Sequence, residues 1–158
     1  MNLRVSRFGT RKPIVDNNLN PRTEAGYKRY DIFHHMKGTA MPSVAVLVAD
    51  GFETIECLTV VDILRRGGVR AALVSVMATR DVVSAQQVSL TCDYTFDEID
   101  FDDFEYVVLP GGLPGTTNLR HDERVCDVVR AFAAERHVAA ICAAPSIPVS
   151  YTHLRAHE

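Results

Sequence analysis

The sequence is short of several things, and each shortage excludes a class of protein. No apolar run approaches the roughly 20 residues that a membrane-spanning helix needs; Val44 to Ala49 is a run of six. The first 40 residues hold no apolar core of the kind a secretory signal requires. Cysteine is sparse: Cys57, Cys92, Cys126 and Cys142 show neither CxxC spacing nor the density of a disulfide framework. A reducing, cytoplasmic setting is therefore expected. Lysine stops at Lys37, with none in the remaining 121 residues.

The loss of lysine marks a change of character. Residues 1–40 carry eight Lys and Arg against three acids, whereas residues 41–150 carry eight Arg against sixteen acids, so a net charge of -3 averages two unlike pieces. The boundary falls near Met41. The first piece is polar, contains Asn-Pro turn chemistry and has no helical or alternating apolar period, so it reads as a disordered basic extension. A nucleic-acid arm or a transit peptide would be the functional version. Its basic residues are too dispersed for phosphate binding, and the acidic piece behind it repels phosphate, so neither a nucleic-acid nor a membrane partner is expected. Upstream sequence translated ahead of a start at Met36 or Met41 accounts for it as well.

From Ser43 the pattern is that of an α/β domain. SVAVLVA is a β-branched apolar run ending at Asp50-Gly51, as expected of a strand buried on both faces of a parallel sheet. FETIECLTVVDILRRGG follows with apolar residues every three to four positions (Ile55, Leu58, Val61, Ile63, Leu64). Glu53 and Glu56 lie at its start, Arg65 and Arg66 at its end, and Gly67-Gly68 stops it, which predicts a helix. Val69 to Met77 reads as a second buried strand. DVVSA and VSLTCDYTF suggest a β-ribbon, and the acidic stretch Asp97 to Glu105 a solvated connection. Tyr106 to Leu109 predicts a strand, Asp122 to Arg136 a helix through Val125, Val128, Val129 and Phe132, and His137 to Cys142 a further buried strand. Alternation of this kind gives a parallel sheet sandwiched by helices.

In such sheets ligands bind beyond the carboxyl ends of the strands, near the point where strand order reverses. Three groups fall on that edge. Cys142 ends a strand and is followed by Ala143, Ala144 and Pro145, small residues at a strand-to-helix turn where exposed amides would stabilise a thiolate. Gly111-Gly112 lets backbone approach the sulfur and offers N–H groups to a developing oxyanion. Glu56 can share or shuttle a proton. A strand-end cysteine is commonly just a small buried hydrophobe, a Gly-Gly pair just a turn, and a first-turn glutamate just a helix-dipole partner. Convergence of the three on one edge is what raises the functional reading to parity. Cys57, Cys92 and Cys126 lack this setting and read as packing or surface thiols.

The strings VLVADGFETIECLTVVDILRRGG, VVLPGGLPGTTNL and AAICAAPSI, in this order and at these separations, resemble the DJ-1/PfpI (ThiJ) superfamily, its DJ-1-like branch in particular, over about Pro42 to Ile147. The resemblance implies a flavodoxin-like sandwich, usually a homodimer, with no organic cofactor and no metal. It implies Cys142 as the reactive nucleophile, Glu56 as the helix glutamate in contact with it, and Gly111 and Gly112 as the glycine pair, with the Ala143 amide joining them at the oxyanion. The activities it implies are glutathione-independent glyoxalase or deglycase chemistry on small dicarbonyls, or oxidative-stress sensing through the cysteine. Relatives with protease activity carry a histidine directly after the nucleophile, where this chain has Ala143.

The resemblance stops near Ile147. In PSIPVSYTHL, with Pro145 as the first helical residue, Pro148 would be the fourth and would lack the N–H for the first intrahelical bond, so the helix behind the elbow is expected to be compromised. Residues 148–158 read as a non-native tail on a domain incomplete at its C-terminus, lacking its downstream histidine. His153 and His157 sit four apart, but with no glutamate between them a metal site is not expected. Two other readings therefore stand beside the enzyme: an inactive fragment, and a redox-sensing or chaperone-like protein without turnover. An amidotransferase-like domain would need a downstream His-Glu pair.

Overall fold

The computed structural model describes residues 42–152. The expected extension 1–40, the end of the tail, and His153 and His157 lie outside the described residues. Seven strands and four helices follow in the order β1 Ser43–Val48, α1 Thr54–Arg66, β2 Arg70–Ser75, β3 Asp81–Val83, β4 Ser89–Thr91, β5 Tyr94–Thr95, β6 Tyr106–Leu109, α2 Gly115–His121, α3 Glu123–Glu135, β7 His137–Ala140 and α4 Ser146–Thr152. Two short 3-10 turns, Phe96–Glu98 and Phe101–Asp103, precede β6.

Five strands form a parallel sheet in the order β5-β2-β1-β6-β7, and β3 pairs with β4 in an antiparallel ribbon beside it. β1 is central, which explains its unbroken apolar run. Successive side chains point to opposite faces, and both faces are covered: Val44, Val46 and Val48 pack with Cys57 and Val61 of α1, while Ala45 and Leu47 pack with Val125, Val129 and Phe132 of α3. The fold is the expected α/β sandwich. The chain goes from β1 out to β2 and later returns to β1's other side with β6, so strand order reverses between β1 and β6.

Several expectations are corrected. In α1, Cys57 and Val61 are the buried positions, while Ile55 and Ile63 are 70% and 62% exposed; the apolar period is wider than the face the sheet receives. The stretch Asp97 to Glu105 is not simply solvated. Phe104 is buried, Phe101 contacts Phe96, Phe104 and Phe132, and Arg136 pairs with Asp102 at 2.7 Å. Here aromatic packing outweighs the local excess of acids. α2 was not foreseen, because its first residues, Gly-Thr-Thr-Asn, are weak helix formers. β7 is not buried on both faces: Val138 and Ala140 face the core on the α3 side, whereas His137, Ala139 and Ile141 are exposed, since α1 does not extend over the opposite face at this strand.

The helix behind Cys142 also differs from expectation. α4 forms despite Pro148, because its first residue is Ser146 and Pro148 is therefore third, within the first turn where no intrahelical N–H bond is required. The carbonyl of Ala144 accepts instead from the Ile147 amide at 2.9 Å.

Candidate functional site

The reversal of strand order sets the location. Glu56 lies on α1 after β1, Gly111 and Gly112 follow β6, and Cys142 follows β7, so all three stand at the carboxyl ends of adjacent parallel strands. The geometry brings them together. The Gly111 amide donates to Glu56 Oε2 at 2.8 Å. A Cβ placed on Gly111 would stand 2.7 Å from Glu56 Oε2 and 2.8 Å from Cys142 Cβ, so carboxylate and cysteine flank one point on the glycine. No side chain larger than hydrogen fits between them.

Cys142 has φ +60°, in the left-handed region that a non-glycine residue enters at a cost of roughly 1–2 kcal/mol. The surrounding backbone holds it there. Ile141 N–H donates to Leu109 O at 3.2 Å, and Ala144 N–H closes the turn onto Ile141 O at 3.1 Å. Ala144 and Ile147 are fully buried behind the turn and anchor it to the core that Leu109 and Val125 share. Burying an isoleucine side chain contributes about 1.5–3 kcal/mol, enough to offset the strain. The result is a sharp strand-to-helix elbow that presents an exposed thiol.

The other three cysteines are buried. Burial pushes the Cys57 thiol up to about 12, and burial, reinforced by Cys57, Asp93 and Asp81, does the same for Cys92. Cys126 donates its S–H to Arg120 O at 3.3 Å. Their reading as packing thiols agrees with these positions.

The expected oxyanion groups divide. The Gly111 N–H is occupied by Glu56. Among the described residues the Gly112 and Ala143 amides donate no backbone or side-chain hydrogen bond. Gly112 has φ +93°, and a side chain there would meet Gly51 O at 2.6 Å, because the loops after β1 and β6 are joined by Glu53 N–H to Gly111 O at 2.9 Å and Gly115 N–H to Gly51 O at 3.1 Å. Asn118, which the sequence pattern did not single out, adds a bond from Nδ2 to Asp50 O at 2.9 Å.

No imidazole joins the site from the described residues: His121 ends α2, and His137 begins β7, stacked on Tyr106 at the opposite end of the strand from Cys142. No group of three or more His, Cys, Asp or Glu among the described residues is arranged to hold a metal, and no described helix is long and apolar enough to cross a membrane. Two surface clefts, one lined by Asp102, Glu135 and His137 and one by Arg120, Cys126 and Arg130, include none of Glu56, Gly111 or Cys142.

Known proteins match about two thirds of this chain. The chain is 32% identical to the protein dj-1beta of Drosophila melanogaster over 106 residues, covering 66% of this chain and 57% of that one. The crystal structure of Drosophila melanogaster DJ-1beta matches with a TM-score of 0.67 at 30% identity, over 72% of this chain and 61% of that one. A protein of Thermococcus kodakarensis named as a deglycase is 29% identical over 107 residues, covering 68% of this chain and 64% of the relative. The Arabidopsis thaliana protein DJ-1 homolog B is 29% identical over 107 residues, 67% of this chain and 24% of that one. The chain thus spans from about a quarter to somewhat over half the length of these two eukaryotic relatives. The model of the DJ-1/PfpI family matches residues 42–158, and the chain belongs to that family.

Proposed function

We propose that the chain carries a cysteine-dependent activity on small reactive carbonyls, of the glyoxalase or deglycase type, in a reducing cytoplasmic setting and as a homodimer. The observation that carries this reading is the exposed Cys142 on a strained elbow, with the Glu56 carboxylate held against the same glycine. The relative named as a deglycase supports the substrate class.

The chemistry follows from the groups present. Cys142 thiolate adds to the aldehyde carbon of a dicarbonyl, forming a C–S bond and a hemithioacetal oxyanion. The Gly112 and Ala143 amides donate to that oxygen. Glu56, steadied through Oε2 by Gly111, takes the proton from the former aldehyde carbon and returns it to the neighbouring carbon through an enediol. The product is a thioester on Cys142, which water hydrolyses to a hydroxy acid and the free thiol. No redox partner or cofactor enters this balance.

Turnover of methylglyoxal to lactate by the purified chain, lost in Cys142→Ser and in Glu56→Gln, is the expected result. Full activity in Cys142→Ser would exclude the scheme. Peroxide titration followed by intact mass separates the sensing alternative: a protein that gains oxygen at Cys142 with negligible dicarbonyl turnover is a redox sensor, the cysteine climbing to the sulfinic acid beside Glu56.

A further inference from the structure

The start of α1 has no local cap. Glu53, the residue before the helix, makes no side-chain capping bond, although the first amides of a helix have no partner within it. The partner comes from 32 positions away. Gln86, in the turn between β3 and β4, accepts through Oε1 from the Thr54 backbone amide at 3.2 Å and the Thr54 hydroxyl at 2.7 Å. Its Nε2 donates to Glu53 Oε2 at 2.6 Å.

The ribbon that carries Gln86 is fastened to the same loop. Gly51 N–H donates to Val83 O at 2.7 Å and Ala85 N–H to Phe52 O at 2.9 Å, while Val83 N–H donates to Asp50 Oδ1 at 2.8 Å. Residues 50–54 are therefore held between β1 and the ribbon, and Glu56 lies two residues beyond the last of these bonds. A displacement of the first helical turn would carry the carboxylate away from the Gly111 amide.

We propose that Gln86 is a positioning residue for Glu56: a remote cap that fixes the first turn of α1 and so the carboxylate beside Cys142. Its chemical consequence rests on the proposed function, in which Glu56 moves the proton. An amide suits the position because it supplies an acceptor to Thr54 and a donor to Glu53 at once. A carboxylate at 86 would set two acceptors face to face.

The test uses the full chain and reads the rate at which iodoacetamide alkylates Cys142, followed by mass across pH 6 to 9, with urea midpoints to verify folding. Since the cap fixes the turn that carries Glu56, Gln86→Leu is expected to change the Cys142 rate about threefold or more, in the same direction as Glu56→Gln. In the Glu56→Gln background it should add nothing, the signature of action through that residue. Gln86→Glu should be impaired, and the exchange Glu53→Gln with Gln86→Glu should restore the wild-type profile. A Gln86→Leu profile equal to wild type, or an equal effect with Glu56 already removed, overturns the proposal. These readouts need no substrate, so absence of methylglyoxal turnover in the wild type refutes the proposed activity alone, while the alkylation series decides the role of Gln86.

Discussion

Replacing Gly111 by alanine tests the tightest approach in the site. The added methyl would stand 2.7 Å from Glu56 Oε2, 2.8 Å from Cys142 Cβ and 3.1 Å from Ile141 O, where carbon contacts normally settle at about 3.5–4.0 Å. Glu56 can swing aside, but only by giving up its bond from the Gly111 amide. Cys142 and Ile141 cannot retreat, because the elbow at φ +60° is fixed by backbone bonds on both sides. Overpacking of this kind costs about 1–3 kcal/mol, partly offset by the roughly 0.4–1 kcal/mol that alanine gains by restricting the unfolded chain. The middle of these ranges, a net loss of about 1.3 kcal/mol, lowers the urea midpoint by about 0.6 M at an m-value near 2 kcal/mol/M. Gly67 supplies the control: it ends α1 at φ -75°, and a methyl there meets Ile63 O at 3.3 Å and Leu64 O at 3.4 Å, so Gly67→Ala should stay within about 0.5 kcal/mol of wild type. Urea unfolding is read together with the Cys142 alkylation rate, which should change in Gly111→Ala and not in Gly67→Ala. Equal midpoints and equal rates in the two variants would refute the packing argument.

Cys142→Gly should remove the left-handed strain and leave stability equal to or up to about 1 kcal/mol above wild type, while Cys142→Ala keeps the strain; urea midpoints in the reverse order would contradict the elbow. In the native state iodoacetamide should label Cys142 and spare Cys57 and Cys92, whose shift from 9.0 to about 12 lowers their thiolate fraction about a thousandfold; peptide mapping that finds all sites labelled together would show that the thiols are not buried. The hydrogen bond from Arg80, with the Thr95 amide, holds the Glu98 carboxyl down at about 2. Because the folded value lies below the unfolded one, this contribution is complete above about pH 4.5 and is lost as the pH falls toward 2. With the Glu98 side chain 42% exposed, solvent screening limits it to about 1 kcal/mol. Glu98→Gln should therefore narrow the stability gap between pH 6 and pH 3, as acid unfolding would show.

Much of the fold was legible because the strongest patterns are local. The β-branched run of β1, the charge-polarised ends of α1 and the apolar period of α3 each follow from residues within one element. The positions of Glu56, Gly111 and Cys142 at strand ends followed from the same reading. What could not be read was anything set by a neighbour: that Ile55 and Ile63 face away from the sheet, that β7 is an edge, and that Phe101 and Phe104 turn an acidic connection into part of the core. A cap contributed to α1 by Gln86 leaves no mark near Thr54, since the two are 32 residues apart.

By itself the sequence determined the α/β class, the order of its main elements and three chemically suited residues, because periodicity and turn chemistry act over a few residues. Only the tertiary structure decided how those residues meet. The Gly111 amide was an equally good donor to an oxyanion or to a carboxylate, and the crossing of the loops after β1 and β6 gives it to Glu56. Pro148 could break or enter a helix, and where the buried Ala144 and Ile147 start the turn puts it in the first turn, where a missing N–H costs no bond. Both outcomes depend on contacts between distant segments, which no local pattern encodes.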